Sequence, residues 1–369
     1  MAIPALFDSE NSLIQLESSL DTNIVKYVNP MNLEQEKQKF FEELGNGNSY
    51  NPRFDYATSN IFYSYFALDP EFEQLKKQIM AVQTDNSAIG ELLEKKKQSL
   101  LAEVNLMKHI GKENFPKISK EYFGVPSKSM VRQAQEMISR NDVKSKIKNR
   151  SSASLKKYFE EYLSRKGLDI KIEISENMSS DVSINPLAGT IWIRANAGFS
   201  ENDFARLVIH EIETHFFRYL NGKMQPFRVF SSGLSRDWIA TEEGLAVVNE
   251  EKFGLLDNST LRKYAGRLVA VDFAIDHGFF ETFKMLEQHF SQEQAYSITQ
   301  RVKRGIKNTE ENGAFTKDFV YFAGSIKVRE FLEQGGKLKE LYLGKISVED
   351  VEHIRNIHGL KEPVYSPNY

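Results

Sequence analysis

Cysteine is absent from all 369 residues. Its absence excludes disulfides, a thiol nucleophile and any metal or cluster site built on thiolates. Charge of one sign is also lacking. The formal net charge of −3 gives no global field for nucleic acid or a membrane surface, and neither is expected as a partner. No apolar run approaches the roughly 18 residues of a membrane-spanning helix. The opening MAIPALFDSENSLIQ has neither the basic start nor the apolar core of a secretory signal, so a soluble, cytoplasmic protein is the expectation. What is present is an ordinary globular mixture, 41% hydrophobic, 12% aromatic and 27% charged. The length suits two domains, or one domain with an added lobe.

Residues 1–28 are polar and carry few structural signals, which reads as a flexible N-terminal arm. Asn32–Leu44 has an Asn cap ahead of a helical run, and Gly45–Phe54 is turn chemistry. Ser87–Ile110 places Ile89, Leu92, Leu93, Leu100, Leu101, Val104 and Met107 at helical spacing, and Pro126 with Ser127 opens another helix. Residues 29–150 therefore read as a helical lobe, and residues 151–369 as a second region that holds the chemistry. Between Arg132 and Lys166 ten basic residues face four acidic ones; this is a solvated helix face, or a surface for an acidic peptide tail. Asp169–Ser175 alternates as a strand with one wet face. Thr190–Arg194 is a second strand after an Asn185–Gly189 turn, and it can serve as an edge for an extended peptide. The fold class is α+β, mostly helical, with a small sheet just before a histidine-bearing helix.

That helix opens with Ser200 and Asp203, spaced for a capping box, and continues through an apolar stripe interrupted by VIHEIETHFFR. His210 and His215 are five residues apart, about 140° on a regular helix, and cannot both face one ion there. A π-bulge would realign them, and such bulges concentrate at functional sites. The spacing alone leaves three readings open: both histidines bind a metal with Glu211 as base, Glu211 and His215 bind it as an i, i+4 pair, or no metal binds. Downstream, TEEGLAVVNEE puts Thr241 as a cap before Glu242 and Glu243. These glutamates favour a helix N-terminus, or one of them meets a cation where Gly244 permits close packing.

Taken together, HEIETHFFR, NGKMQPFRVFSSGL and TEEGLA resemble the tubulin tyrosine carboxypeptidases of the microtubule-associated metallopeptidase family and their bacterial QEGLA-motif relatives. Asn29–Tyr56, Arg301–Gly305 and Gly313–Val328 resemble further blocks of that family. The resemblance implies a zincin-like metallopeptidase core holding zinc (Zn2+) on His210, His215 and Glu243, with Glu211 as general base. It places Glu213 where the family has glycine, and an outward-facing side chain is expected there.

The implied activity is a zinc carboxypeptidase acting on the C-terminal tail of a protein or peptide. An endopeptidase or amide hydrolase on the same metal is the alternative, as is an inactive binding protein. Holding a terminal carboxylate needs a cation, for which Arg304, Lys317 and Arg218 are candidates; the alternative for Arg218 is to pair with a carboxylate behind the ligands. Tyr321 is a candidate catalytic hydrogen-bond donor. His277 and His289 fall outside the matching blocks and read as ordinary helix residues.

Overall fold

The computed structural model describes residues 3–20, 24–56, 69–140, 147–176, 178, 180–367. Part of the basic 132–166 stretch, residues 141–146, lies outside the described residues. Of the elements that matter below, taken in chain order, the helices α1 (Ile3–Leu20), α2 (Leu33–Gly45) and α3 (Ala88–Lys108) come first. They are followed by β1 (Arg150–Ser151), α4 (Ser152–Lys166), β2 (Lys171–Ser175), β3 (Val182–Asn185), β4 (Thr190–Arg194) and β5 (Gly198–Phe199). Then come α5 (Glu201–Leu207), a π-helix (Val208–Phe216), α6 (Phe217–Met224), α7 (Trp238–Lys252), α8 (Phe279–Glu287), α9 (Gln292–Lys303) and α10 (Val320–Glu333). The described chain is α+β and mostly helical, as expected.

Two compact units divide these elements. The first comprises Met1–Arg140, Leu234–Arg236 and Arg262–Ala323; the second comprises Asn141–Gly233, Asp237–Leu261 and Gly324–Tyr369. A single boundary at residue 150 does not describe this division, because residues 262–323 rejoin the N-terminal lobe. Residues expected as a flexible arm include α1, whose Leu13 is wholly buried and which packs on α3.

In the first unit the α3 positions with helical periodicity are buried: Ile89, Leu92, Leu93, Leu100, Val104 and Met107. Ser87 caps this helix by accepting from Gly90 N at 3.1 Å. Phe40 on α2 is fully buried, with its ring 4.9 Å from Phe283 and 5.0 Å from Tyr296. On α3, Lys96 meets Glu17 of α1 at 2.5 Å. Burial, then the Glu17 charge, push nearby Glu103 up to about 8 against the pull of Lys96.

The second unit is built around a three-stranded sheet in the order β2-β4-β3. β2 runs parallel to β4, pairing Ile172 with Ile191, and β3 runs antiparallel, pairing Val182 with Ile193. These four side chains are buried, while Trp192 on the other face donates to Glu173 at 3.1 Å. Asn185 accepts from Leu187 N and Ala188 N, and Gly189 closes the hairpin at φ 60°. β4 is therefore the middle strand rather than an edge, since β3, unforeseen in the sequence, covers its other side. β3 packs against the π-helix.

Candidate metal centre

Ser200 and Asp203 form the expected capping box: the Ser200 hydroxyl accepts from Asp203 N at 3.3 Å, and the Asp203 carboxylate accepts from Ser200 N at 2.9 Å. The α-helix they start lasts only to Leu207, where the chain widens into nine residues of π-helix before tightening again as α6. Hydrogen bonds from i to i+5 stack residues five apart. The imidazoles of His210 and His215 consequently lie 4.8 Å apart, ring centre to ring centre. Glu243 on α7 completes the set, with its Oε2 3.6 Å from His210 Nε2 and 3.7 Å from His215 Nε2. Among the described residues these three form the group able to hold a metal ion; Glu211, the ligand of the competing reading, does not join it.

Each imidazole is fixed from behind by a buried carboxylate. Glu250 Oε1 lies 2.7 Å from His210 Nδ1 and also accepts from Arg206 at 2.9 Å. Glu242 Oε1 lies 2.9 Å from His215 Nδ1 and accepts from Lys345 at 2.9 Å, while its other oxygen pairs with Arg218. A carboxylate can only accept, so both Nδ1 atoms carry a proton, and both Nε2 atoms face Glu243. Burial raises Glu242, but Lys345 and Arg218 outweigh it and hold the group well below the usual carboxylate range. Burial lowers His210, yet Glu243, Glu250 and Glu211 together raise it to about 10.

The donor set fits zinc. Ligands at about 2.0–2.1 Å on a tetrahedral ion lie roughly 3.3–3.4 Å from one another. The Glu243-to-imidazole distances need only a few tenths of an ångström of contraction to reach that. Two neutral imidazoles and one carboxylate leave the fourth position of a catalytic site open. Gly244 lets α7 pack closely on α10: a Cβ there would sit 2.1 Å from the Gly324 backbone carbon.

Several expectations need correction. Thr241 does not cap α7, which begins at Trp238; its hydroxyl instead accepts from Val348 N at 3.0 Å. Glu213 is buried rather than outward-facing, accepting from the Tyr162 hydroxyl of α4 with Lys166 3.7 Å away. Arg218 is fully buried behind His215, donating to Leu341 O at 2.8 Å and Ile346 O at 2.6 Å besides Glu242, so it supports the site and does not meet substrate.

Arg304, Lys317 and Tyr321 belong to the first unit. There Arg304 is buried with Asp318 3.6 Å away, and Tyr321 stacks on Tyr264 at 5.2 Å with Lys317 over its ring. In the basic stretch, Lys156 and Lys157 pair with Glu160 and Glu161 along α4, which is the solvated-face reading. Of the supporting carboxylates, Glu242 was noted in the sequence only beside Glu243, and Glu250 was not singled out. Glu250 follows Glu243 by seven residues, a spacing that puts both on one helix face and could have identified it.

The protein family described as microtubule-associated tyrosine carboxypeptidase matches residues 38–369. A mouse (Mus musculus) relative, MATCAP2, provisionally named a tyrosine carboxypeptidase, is 24% identical over 342 residues, covering 90% of this chain and 56% of that protein. Rat (Rattus norvegicus) microtubule-associated tyrosine carboxypeptidase 1 is 23% identical over 351 residues, 93% of this chain and 64% of the relative. The chain thus spans less than two thirds of the length of these relatives. No described helix is long and apolar enough to cross a membrane. On the extent of the family match, the chain belongs to the microtubule-associated tyrosine carboxypeptidase family.

Proposed function

We propose that this chain is a zinc-dependent carboxypeptidase that removes C-terminal residues, tyrosine among them, from a protein or peptide tail. The observation that carries the reading is the convergence of His210 Nε2, His215 Nε2 and Glu243 Oε2, with both Nδ1 atoms held by carboxylates. Zinc held by these three residues supplies Lewis acidity, polarising the scissile carbonyl and acidifying a water at the open position. Glu211, buried beside His210, takes the proton of the attacking water and returns it to the leaving amine. Glu250 and Glu242 keep the imidazoles aimed, and Arg206, Arg218 and Lys345 hold those carboxylates in place. In this reading the described edge strand β3, not β4, pairs with an extended tail.

Mass spectrometry of peptides that differ only in their last residue, incubated with purified protein, tests the proposal. Wild type should shorten them from the C-terminus, while Glu211→Gln retains about one zinc and leaves them intact. Protein that binds no zinc, or that leaves every tail intact, overturns it.

A further inference from the structure

A π-helix is an uncommon way to build a turn, and this one is bracketed by a buried chain of hydrogen bonds between residues that are not themselves ligands. The Thr214 hydroxyl donates to Ile209 O at 2.8 Å, five residues back, and accepts from Asn249 Nδ2 at 2.7 Å. Asn249 gives its other N–H to the Tyr342 hydroxyl at 2.8 Å, and Tyr342 donates to Glu213 O at 2.9 Å. All three side chains are fully buried. Every donor in the chain is used, and its two ends fall on the backbone carbonyls of Ile209, next to His210, and of Glu213, two residues before His215.

From this geometry we infer that Thr214, Asn249 and Tyr342 are positioning residues that hold the widened turn open and thereby set the metal geometry. A threonine hydroxyl in a regular helix bonds back three or four residues; reaching five residues back matches the wide turn and no other. Were this segment to relax to α-helix, His210 and His215 would diverge to about 140°. Asn249 also lies on α7, six residues after Glu243, so the same bonds tie the histidine helix to the helix carrying the third ligand. The unit therefore fixes the His–His and His–Glu separations together.

The inference rests on the zinc reading, and its test is zinc affinity rather than activity. Metal-free wild type, Thr214→Val, Thr214→Ala, Thr214→Ser and Tyr342→Phe would be titrated with zinc against a chromophoric chelator. Folding of each would be checked by circular dichroism, and the visible spectrum of the cobalt(II) forms recorded. Outer hydrogen-bond partners of metal ligands are worth about 10–100-fold in affinity. Thr214→Val and Tyr342→Phe should weaken zinc binding by about 10-fold or more and shift the cobalt bands, whereas Thr214→Ser, which keeps the hydroxyl, should stay within about threefold of wild type. Thr214→Ala gives a second reading of the hydroxyl should either of the other variants fail to fold. Folded Thr214 variants with wild-type affinity and unshifted bands overturn the inference and leave the zinc reading standing. Wild type that binds no zinc removes the zinc reading itself.

Discussion

Both compact units bury charge, but they dispose of it in opposite ways. In the first, Lys303 is wholly buried and its ammonium is enclosed by the carbonyls of His277 at 2.6 Å, Glu311 at 2.9 Å and Gly313 at 2.9 Å. Three donors meet three strong acceptors, and the arrangement closes on itself. In the second, Glu242 and Glu250 are equally buried, yet the imidazoles they hold present Nε2 atoms toward one shared point with Glu243. A buried charge whose partners are all internal stabilises loops; a cluster that leaves several ligand atoms converging is built to bind. Burial alone does not distinguish structure from function, and the convergence of the remaining ligand atoms does.

The comparison can be pressed experimentally. The largest effect expected is on turnover: Glu211→Gln removes a general base and should slow hydrolysis by about 10²–10⁴-fold while zinc is retained, measured by steady-state kinetics with metal analysis. Lys303→Met leaves buried carbonyls without a donor and should cost about 3 kcal/mol of stability in denaturant titration, with no loss of zinc affinity in the folded protein. An equal loss of zinc binding would break the division between closed and open clusters. Glu250→Gln keeps the shape but weakens the hold on His210, and should reduce zinc affinity by about 10–100-fold in chelator competition.

The smallest effect concerns Glu103. Its folded-state value near 8 lies above that of an unfolded carboxylate, so the native protein binds more protons between about 4.5 and 8. Stability should therefore fall as pH rises through that window, and Glu103→Gln should flatten the fall in thermal melts recorded across pH.

Local signals in the sequence were read well where local chemistry decides. The Ser200–Asp203 box, the Asn185 turn, β4 and the periodic face of α3 all depend on neighbours within a few residues. The metal set was legible only through the family resemblance, because the five-residue spacing left it open. What realigns the histidines is supplied by Asn249 and Tyr342, which lie 35 and 129 residues from their partners on the π-helix. Glu213 was misplaced for a similar reason: the hydroxyl that accompanies it inward comes from Tyr162, 51 residues earlier. The strand β3 is four residues, VSIN, with too little alternation to stand out, and its presence is what moved β4 from rim to centre.

Glu243 and Glu250 share one face of one rod. Displacing α7 along its axis would withdraw the third ligand and the brace of the first histidine in the same movement. Metal capture should accordingly be a single concerted event, with no stable half-assembled pocket in which one imidazole is aimed and the other is not. Loading then doubles as a report on where that helix sits.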